Sequence, residues 1–327
     1  MEMNAGGRLY AVTFSANGEY ILSGGRDGVQ VWRVQDGMQM ATMKTETVWS
    51  LAASKDGRWI AVGTNWGDLH VWDANTYKQV FVNREDSRAI HGVDFSPDSI
   101  RLVSASSNCT AIIWDIATRE RVHTLHHEDW VIAAKYSPRG DRIATATRHS
   151  VRVYDSNYGR LLVDIKVEVI PWHNAGFVWL NHHLLVVSNG QVKQFEASTG
   201  STVSEWPLPG TGVFSCIALS KHGEFIACSA GLMVMLWDTS THIQSSSLKH
   251  SRHIHSIAHS PDDRLLAIGG EDGELTIINL SCVTVRIVSR WIVVHIINFL
   301  LWSSFHIASH PFLSSTTHAP GSRHSDR

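Results

Sequence analysis

The amino-acid sequence repeats itself at a nearly constant interval. Seven bulky residues mark the repeat: Trp32, Trp72, Trp114, Tyr154, Phe195, Trp237 and Ile278. The successive steps between them are 40, 42, 40, 41, 42 and 41 residues. A period of this length indicates that one supersecondary unit recurs along the chain. The fold of the whole chain therefore follows from the fold of that unit, and a repeated unit favours recognition over catalysis as the function.

Each repeat contains short runs typical of β-strands, separated by polar turns. In the first repeat, one run ends at Phe14, a second follows the turn Asn17-Gly18, and a third ends at Trp32. Asn-Gly tolerates the positive φ angles of a tight hairpin turn. A fourth run follows the marker residue, as at residues 38–44. Four short strands per unit, repeated seven times, predict an all-β fold, the seven-bladed β-propeller.

The ends of the third runs share a dipeptide. Three end on Trp-Asp and a fourth on the related Tyr-Asp: Trp72-Asp73, Trp114-Asp115, Trp237-Asp238 and Tyr154-Asp155. These motifs resemble the WD40 repeat family over roughly residues 8–289. The fifth repeat, around residues 177–188, is the weakest, since it keeps the strand pattern without the turn signature. The resemblance implies a propeller over residues 1–289, followed by a C-terminal tail over residues 290–327. It also implies a non-catalytic scaffold for protein or peptide partners.

One departure from the family concerns its buried polar network. WD40 repeats usually carry a Gly-His dipeptide whose His joins an Asp, a Ser or Thr and the Trp, but this sequence contains no Gly-His. His127 and His250 stand at plausible His positions, and Asp27 and Asp272 at plausible Asp positions. No repeat shows all four members, and a polar network stabilises only when every member is satisfied. We therefore expect apolar packing between neighbouring sheets to provide the stability.

Composition narrows the choice of partner and compartment. The net charge of −2 predicts no nucleic-acid partner, because binding a phosphate backbone needs a strongly basic face. The four cysteines show no Cys-x-x-Cys spacing, which indicates reduced thiols rather than a metal or redox site. The first residues lack the basic and apolar segments of a signal peptide. We expect a cytoplasmic or nuclear protein, monomeric as a propeller.

The sequence shows none of the short catalytic or nucleotide-binding motifs, and we expect no catalytic residue, cofactor or metal. The histidines are the best candidates for a metal site, chiefly the group His250, His253, His255 and His259. One strand can direct only two of them together, while a metal needs three or four converging ligands. The pair His182-His183 would point to opposite faces if the chain were extended there, and we expect these two residues at loop and strand-end positions. An enzyme with its active site at the channel rim remains the alternative.

Alignment of the repeats predicts which residues line one rim of the propeller. At the start of the first strands lie Tyr10, Trp49, His91, Ile132, Ser215 and His255. The turns between the second and third strands open on the same face and carry Arg26, Trp66, Asn108, His149, Asn189 and Glu271. We predict a partner-binding site in this set: Trp49, Trp66, Tyr10, His91, His255, Arg26, Asn108 and Glu271.

The second repeat is the most informative part of that rim. It places Trp49 at the rim and Trp66 in a tight turn, where large aromatics have no conformational reason to occur. Trp66 is either a binding anchor or a cap folded over Trp49. Because His91 and His255 lie on the same rim, we expect binding to weaken below about pH 6.5 as they protonate.

The two ends of the chain pose a question of closure. The first predicted strand covers residues 8–14, and the segment before it is expected to be too short to pair with the last blade. Residues 283–289 fall at the right offset to form the outer strand of that blade instead. The apolar run at residues 291–302 is too short to span a membrane. It either packs on the propeller or serves a peripheral-membrane adaptor, and the polar end of the chain is expected to be disordered.

Overall fold

A computed structural model describes residues 1–84, 88–169, 176–208 and 214–281. At Phe214 and Ser215 it describes the backbone alone. The chain forms seven four-stranded antiparallel sheets, the blades. Blade one contains β2 (Leu9–Phe14), β3 (Tyr20–Gly25), β4 (Gly28–Arg33) and β5 (Gln39–Met43). Blade two contains β6 (Val48–Ala53), β7 (Trp59–Thr64), β8 (Leu69–Asp73) and β9 (Gln79–Asn83). Blade three contains β10 (Ile90–Phe95), β11 (Arg101–Ser106), β12 (Thr110–Asp115) and β13 (Arg121–His126).

The remaining blades repeat this order. Blade four contains β14 (Ala133–Tyr136), β15 (Arg142–Ala146), β16 (Ser150–Asp155) and β17 (Leu161–Lys166). Blade five contains β18 (Phe177–Leu180), β19 (His183–Ser188), β20 (Gln191–Glu196) and β21 (Thr202–Pro207). Blade six contains β22 (Phe214–Leu219), β23 (Phe225–Ala230), β24 (Met233–Asp238) and β25 (Gln244–Lys249). Blade seven contains β26 (Ile254–His259), β27 (Leu265–Gly270), β28 (Glu274–Asn279) and β1 (Glu2–Asn4).

The seven sheets close into a ring around the first strand of each blade. Each first strand neighbours the first strands of the blades on either side, and β26 of blade seven lies beside β2 of blade one. This arrangement is the seven-bladed all-β propeller that the repeat period predicted. No helix in the part of the chain that the structure describes is long and apolar enough to cross a membrane.

The ring closes through the N-terminal segment. Strand β1 pairs antiparallel with β28, with Met3 opposite Leu275. Two further backbone hydrogen bonds extend the pairing, from Ile277 N to Met1 O at 2.8 Å and from Ala5 N to Gly273 O at 2.8 Å. The expectation that this segment is too short to pair is therefore wrong.

Simple distances explain the error. Asn4 and Leu9 are five residue steps apart, which span up to about 17 Å. The outer and inner strands of a four-stranded sheet are about 14 Å apart. Because β1 already holds the outer position of blade seven, the assignment of residues 283–289 to that position is also wrong, and those residues lie outside the described part of the chain.

Apolar side chains between neighbouring blades form the core. Buried clusters join blade one to blade two, two to three, three to four, four to five, five to six, and seven to one. All the marker residues except the half-buried Ile278 are buried. Each sheet thus buries its faces against its neighbours, as the sequence predicted.

Polar networks are partial, also as expected. Trp32 and Trp114 donate from Nε1 to Ser23 and Ser104 at 2.8 and 2.9 Å. In blade four, His127 Nε2 lies 2.8 Å from Thr145 Oγ1. No described blade combines a His, an Asp, a Ser or Thr and a Trp in one complete network.

A serine organises the hairpin between the first and second strands. Its hydroxyl oxygen accepts the backbone N–H of the fifth residue further on, at 2.8–3.1 Å. It occurs in six blades: Ser15, Ser54, Ser96, Ser137, Ser220 and Ser260. The side chain fixes the turn, so that each second strand starts in the same register. Blade five has Leu180 at this position and a different turn.

The closure predicts that Met3 matters for stability. Its side chain is buried in the cluster that joins blades seven and one, together with Trp32 and Leu275. Met3→Ala should lower the free energy of unfolding by about 2 kcal/mol or more, the usual cost of removing a buried Met side chain. Chemical denaturation of the full chain measures this. Glu2→Ala, at an exposed position of the same strand, is the matched control and should change stability little; equal stabilities for the two variants would contradict the closure.

Candidate functional site: the upper rim of the propeller

We call the upper face the end where the first strands begin and where the second strands turn into the third. In five blades the first strand contains a β-bulge at this end. The bulged residues are Tyr10, Trp49, His91, Ser215 and His255. These are rim positions selected by the repeat alignment. A bulge leaves its residue outside the ladder and changes the direction of its side chain. One backbone feature thus places the variable side chains of Tyr10, Trp49, His91 and His255 on one rim. Blade four differs, because Ile132 is buried and its N–H bonds Ala146 O at 2.8 Å.

Three aromatic rings form a row across blades two, three and four. The centroids of the Trp49 and His91 rings are 4.9 Å apart, at an interplanar angle of 46°. The His91 and Trp130 rings are stacked, with centroids 6.4 Å apart and an angle of 20°. We refer to these three residues as the aromatic row. Trp130 is 52% exposed and was not among the predicted site residues. It precedes the first strand of blade four and lies two residues before Ile132, the position that the alignment selected.

His91 is the buried centre of the row. Only 7% of its surface is exposed, and its Nε2 is in a hydrogen bond of 2.8 Å with Ser107 Oγ. Burial disfavours the charged imidazolium and lowers the pKa of His91 to about 4. The pKa of His255 is also lowered, chiefly by burial. The expectation of a charge change near pH 6.5 is therefore wrong, because it assumed exposed rings.

Trp66 projects from a well-bonded turn at the upper end of blade two. Its side chain is 67% exposed. The backbone on either side is fixed by hydrogen bonds from Asn65 N to Thr47 O at 3.0 Å and from Asp68 N to Thr64 Oγ1 at 3.0 Å. Gly67 completes the turn at a φ of +89°, which glycine adopts without strain. A large apolar side chain thus stands in solvent on an ordered backbone.

Charged groups lie close to this turn. His70 is buried, and its Nε2 is 3.7 Å from Glu46 Oε2 and 3.9 Å from Asp68 Oδ2. The Arg84 guanidinium lies 3.8 Å from Asp68 Oδ2. Burial lowers the pKa of His70, so the imidazole tends to stay neutral between the two carboxylates. The surroundings of Trp66 are therefore polar, with acidic and basic groups both present.

The predicted residues of blades seven and one form a second group. Arg8 makes an ion pair with Glu271, and its guanidinium lies 6.0 Å from the centre of the Tyr10 ring. The Tyr10 and His255 rings are 5.9 Å apart. The structure thus brings Tyr10, His255 and Glu271 together around Arg8, a residue that sequence reasoning missed.

The other two predicted residues are placed differently. Arg26 is exposed in its turn. Asn108 uses its side-chain oxygen to accept hydrogen bonds from Thr110 N and Oγ1 at 2.9 and 2.6 Å, which stabilises the turn of blade three.

The first strands also place charges beside the channel. Asp94 Oδ2 accepts the backbone N–H of Tyr136 at 2.8 Å, an N–H on the inner edge of blade four. Burial raises the pKa of Asp94 to about 6 and lowers that of Lys135. Ser256 similarly accepts the N–H of Val12 at 3.0 Å. Asp94 therefore accepts a hydrogen bond from the free edge of a neighbouring sheet, as Ser256 does. Within the described ranges, no cluster of carboxylates or metal ligands converges on Asp94.

The lower face carries the pair His182 and His183. The His182 and His183 rings are 4.4 Å apart, and His183 Nε2 lies 3.2 Å from Glu196 Oε2. The prediction that these two histidines occupy loop and strand-end positions is confirmed, since His182 lies in the turn and His183 is the first residue of β19. Asn181 takes a φ of +56° and starts a tight turn, so that His182 is not part of an extended strand.

The repeats match a known family. The family described as WD domain, G-beta repeat, matches residues 4–29, 37–73, 77–115, 119–155 and 243–279, which together exceed half of the chain. Blade five and the first three strands of blade six fall outside these matches.

Several curated proteins are similar to this chain. The U3 small nucleolar RNA-associated protein 15 homolog of Xenopus laevis is 25% identical over 231 residues, which cover 68% of this chain and 44% of that protein. The guanine nucleotide-binding protein subunit beta of Zea mays is 24% identical, over 57% of this chain and 54% of that protein. Periodic tryptophan protein 2 of Arabidopsis thaliana is 28% identical, over 48% of this chain and 18% of that protein. The chain thus spans about half or less of the length of these relatives. With seven four-stranded blades and a family match over more than half of its length, the chain belongs to the WD40 repeat family.

Proposed function

We propose that this protein is a non-catalytic scaffold that binds a protein or peptide partner on the upper rim of blades two to four. The observation that carries the proposal is the exposed Trp66 on its ordered turn, at the blade that also provides Trp49. Trp130 extends the exposed aromatic surface to blade four. Exposed tryptophans rimmed by polar groups match the anchors that dominate protein interfaces.

The rigidity of the rim favours binding. The aromatic row is fixed by ring contacts, and His91 is buried at its centre. Side chains that are already ordered lose little conformational entropy when a partner binds. Family membership supports the same reading, since the relatives named here include a G-protein subunit and a protein associated with a small nucleolar RNA.

The charge supports a protein partner over a nucleic acid. The chain has a net charge of −2, and both carboxylates and a guanidinium lie near the turn that carries Trp66. Recognition of a phosphate backbone would need a predominantly basic face. We propose action in the nucleus or the cytoplasm; the nucleolar RNA association in a relative's name favours the nucleus.

An enzyme with its active site at the channel is the second candidate. Only Asp94, with its pKa raised to about 6, favours it. The hydrogen bond of Asp94 to the edge of blade four gives that group a structural role, so the scaffold is the better supported function.

The domain division stays a proposal, with the propeller over residues 1–289 and a tail over residues 290–327. A peripheral-membrane adaptor would use the apolar run at residues 291–302, which lies outside the described residues.

Trp66→Ala tests the binding surface. Truncation of an exposed anchor should weaken partner capture about tenfold, which corresponds to about 1.4 kcal/mol, and should leave the melting temperature nearly unchanged. Quantitative affinity purification with the tagged full chain measures capture, and a thermal melt measures stability. Tyr158→Ala is the matched control, because Tyr158 is a 75% exposed aromatic in a turn of the lower face. A large fall in stability with unchanged capture would make Trp66 a structural cap.

The pH dependence of the protein separates folding from binding. The pKa of His91 is about 4 in the folded protein and 6.5 in its unperturbed state. As the pH falls from about 6.5 towards 4, the unfolded chain therefore takes up a proton that the folded chain does not, and stability falls. His127 and His259 have lowered pKa values of about 4 and act in the same direction. The melting temperature should decrease between pH 7.5 and 5.5.

Partner capture over the same range should stay constant, because His91 keeps its neutral form in the folded protein. Pull-downs at matched pH values measure this, and a decline in capture with a midpoint near pH 6.5 would contradict a buried His91. In His91→Gln, which retains a hydrogen-bonding side chain, part of the pH dependence of the melting temperature should disappear.

A further inference from the structure

We propose that His182, His183 and Glu196 form a Zn²⁺ site on the lower face of blade five, separate from the rim that binds the partner. The ligand atoms of the three residues all lie within 4.8 Å of one another. Two imidazoles and a carboxylate are a ligand set suited to zinc, and three protein ligands leave one position of a tetrahedron open.

The sheet itself positions two of the ligands. His183 of β19 and Glu196 of β20 are directly opposite each other in the antiparallel ladder, so their side chains leave the same face of the sheet. His183 Nε2 and Glu196 Oε2 are 3.2 Å apart. Two ligands at zinc bond lengths of 2.0–2.2 Å are separated by about 3.3 Å in a tetrahedron. This pair therefore needs little movement to receive the ion.

The turn of blade five supplies the third ligand. Leu180 pairs with His183, so the hairpin is closed by the two residues Asn181 and His182. The positive φ of Asn181 and a hydrogen bond from Ala197 N to His182 O at 3.1 Å hold this turn against the end of β20. As a result the His182 ring lies beside that of His183. This short turn occurs where six other blades have their hairpin serine.

The remaining oxygen of the carboxylate has a partner that orients it. Glu196 Oε1 accepts hydrogen bonds from Ser198 Oγ at 2.9 Å and Ser198 N at 3.4 Å. These contacts direct Oε2 towards the histidines, in the way that outer hydrogen bonds orient metal ligands in proteins.

A second group of three close ligands, Glu46, Asp68 and His70, is a weaker candidate. Its imidazole nitrogen is in contact with Thr45 Oγ1 at 3.1 Å, and the Arg84 guanidinium lies 3.8 Å from Asp68. The hydroxyl occupies the nitrogen, and the positive charge opposes a second cation. At the blade-five site, the described residues place no hydroxyl group on a histidine nitrogen and no guanidinium beside the carboxylate.

Metal titration of the full chain at pH 7.5 tests the site. Zn²⁺ affinity is measured by competition with a chromophoric chelator, and Co²⁺ serves as a spectroscopic probe of geometry. We expect one ion per chain and the intense visible absorption of tetrahedral Co²⁺. His182→Gln, His183→Gln and Glu196→Gln should each weaken Zn²⁺ binding by at least about tenfold. Their melting temperatures without metal should match that of the unaltered chain, because the three side chains are exposed or half-buried.

Two variants serve as controls. His149→Gln removes an exposed histidine of the upper face and should leave the Zn²⁺ affinity unchanged. His70→Gln removes the imidazole of the other candidate group and should also leave it unchanged. The proposal is overturned if the chain does not bind Zn²⁺ at micromolar concentration, if His183→Gln binds it normally, or if His70→Gln is the variant that loses it.

Discussion

The hydrogen bonds between β1 and β28 are the constraint on which the rest of the structure depends. Each blade buries its two faces only against neighbouring blades, so an open ring would leave two sheets half exposed. The pairing of Met3 with Leu275 joins the first residues of the chain to the last described blade and covers an otherwise free sheet edge. The Met3 side chain also belongs to the apolar cluster between blades seven and one. Backbone pairing and side-chain burial thus close the ring at one place.

A closed ring lets the rim vary without loss of the fold. The strands are held by packing between blades, while the bulged residues and the turns make few demands on side-chain type. Bulges at the same position of four first strands present a Tyr, a Trp and two His, all from equivalent backbone. This explains how blade two can replace the turn Asp of blade one, Asp27, with Trp66. The proposed function uses that freedom, because the turn stays ordered through its own hydrogen bonds whatever side chain it carries.

The fold can be predicted from the sequence alone because each repeat is formed by residues that are close together in the chain. The markers, hairpin turns and strand runs predicted seven blades, and the alignment predicted that Tyr10, Trp49, His91 and His255 share one position. What it missed depends on contacts between distant residues. The pairing of β1 joins residues at least 270 positions apart, and the burial of His91 depends on its neighbours. Trp130 lies two residues before the aligned position Ile132. The meeting of His182 with His183 depends on the backbone angle of Asn181.

Blade five shows how far the repeat can change while the sheet persists. It lacks the hairpin serine and falls outside the family match, yet its four strands keep the ladder of the other blades. Phe177, Leu184 and Phe195 are buried in the cluster shared with blade four, so blade five packs against its neighbour as other blades do. Because packing between blades is sufficient, the turn at Asn181 is released from the repeat pattern. The proposed partner surface and the proposed Zn²⁺ site therefore both use turns, at Trp66 and at His182, whose sequences depart from the repeat.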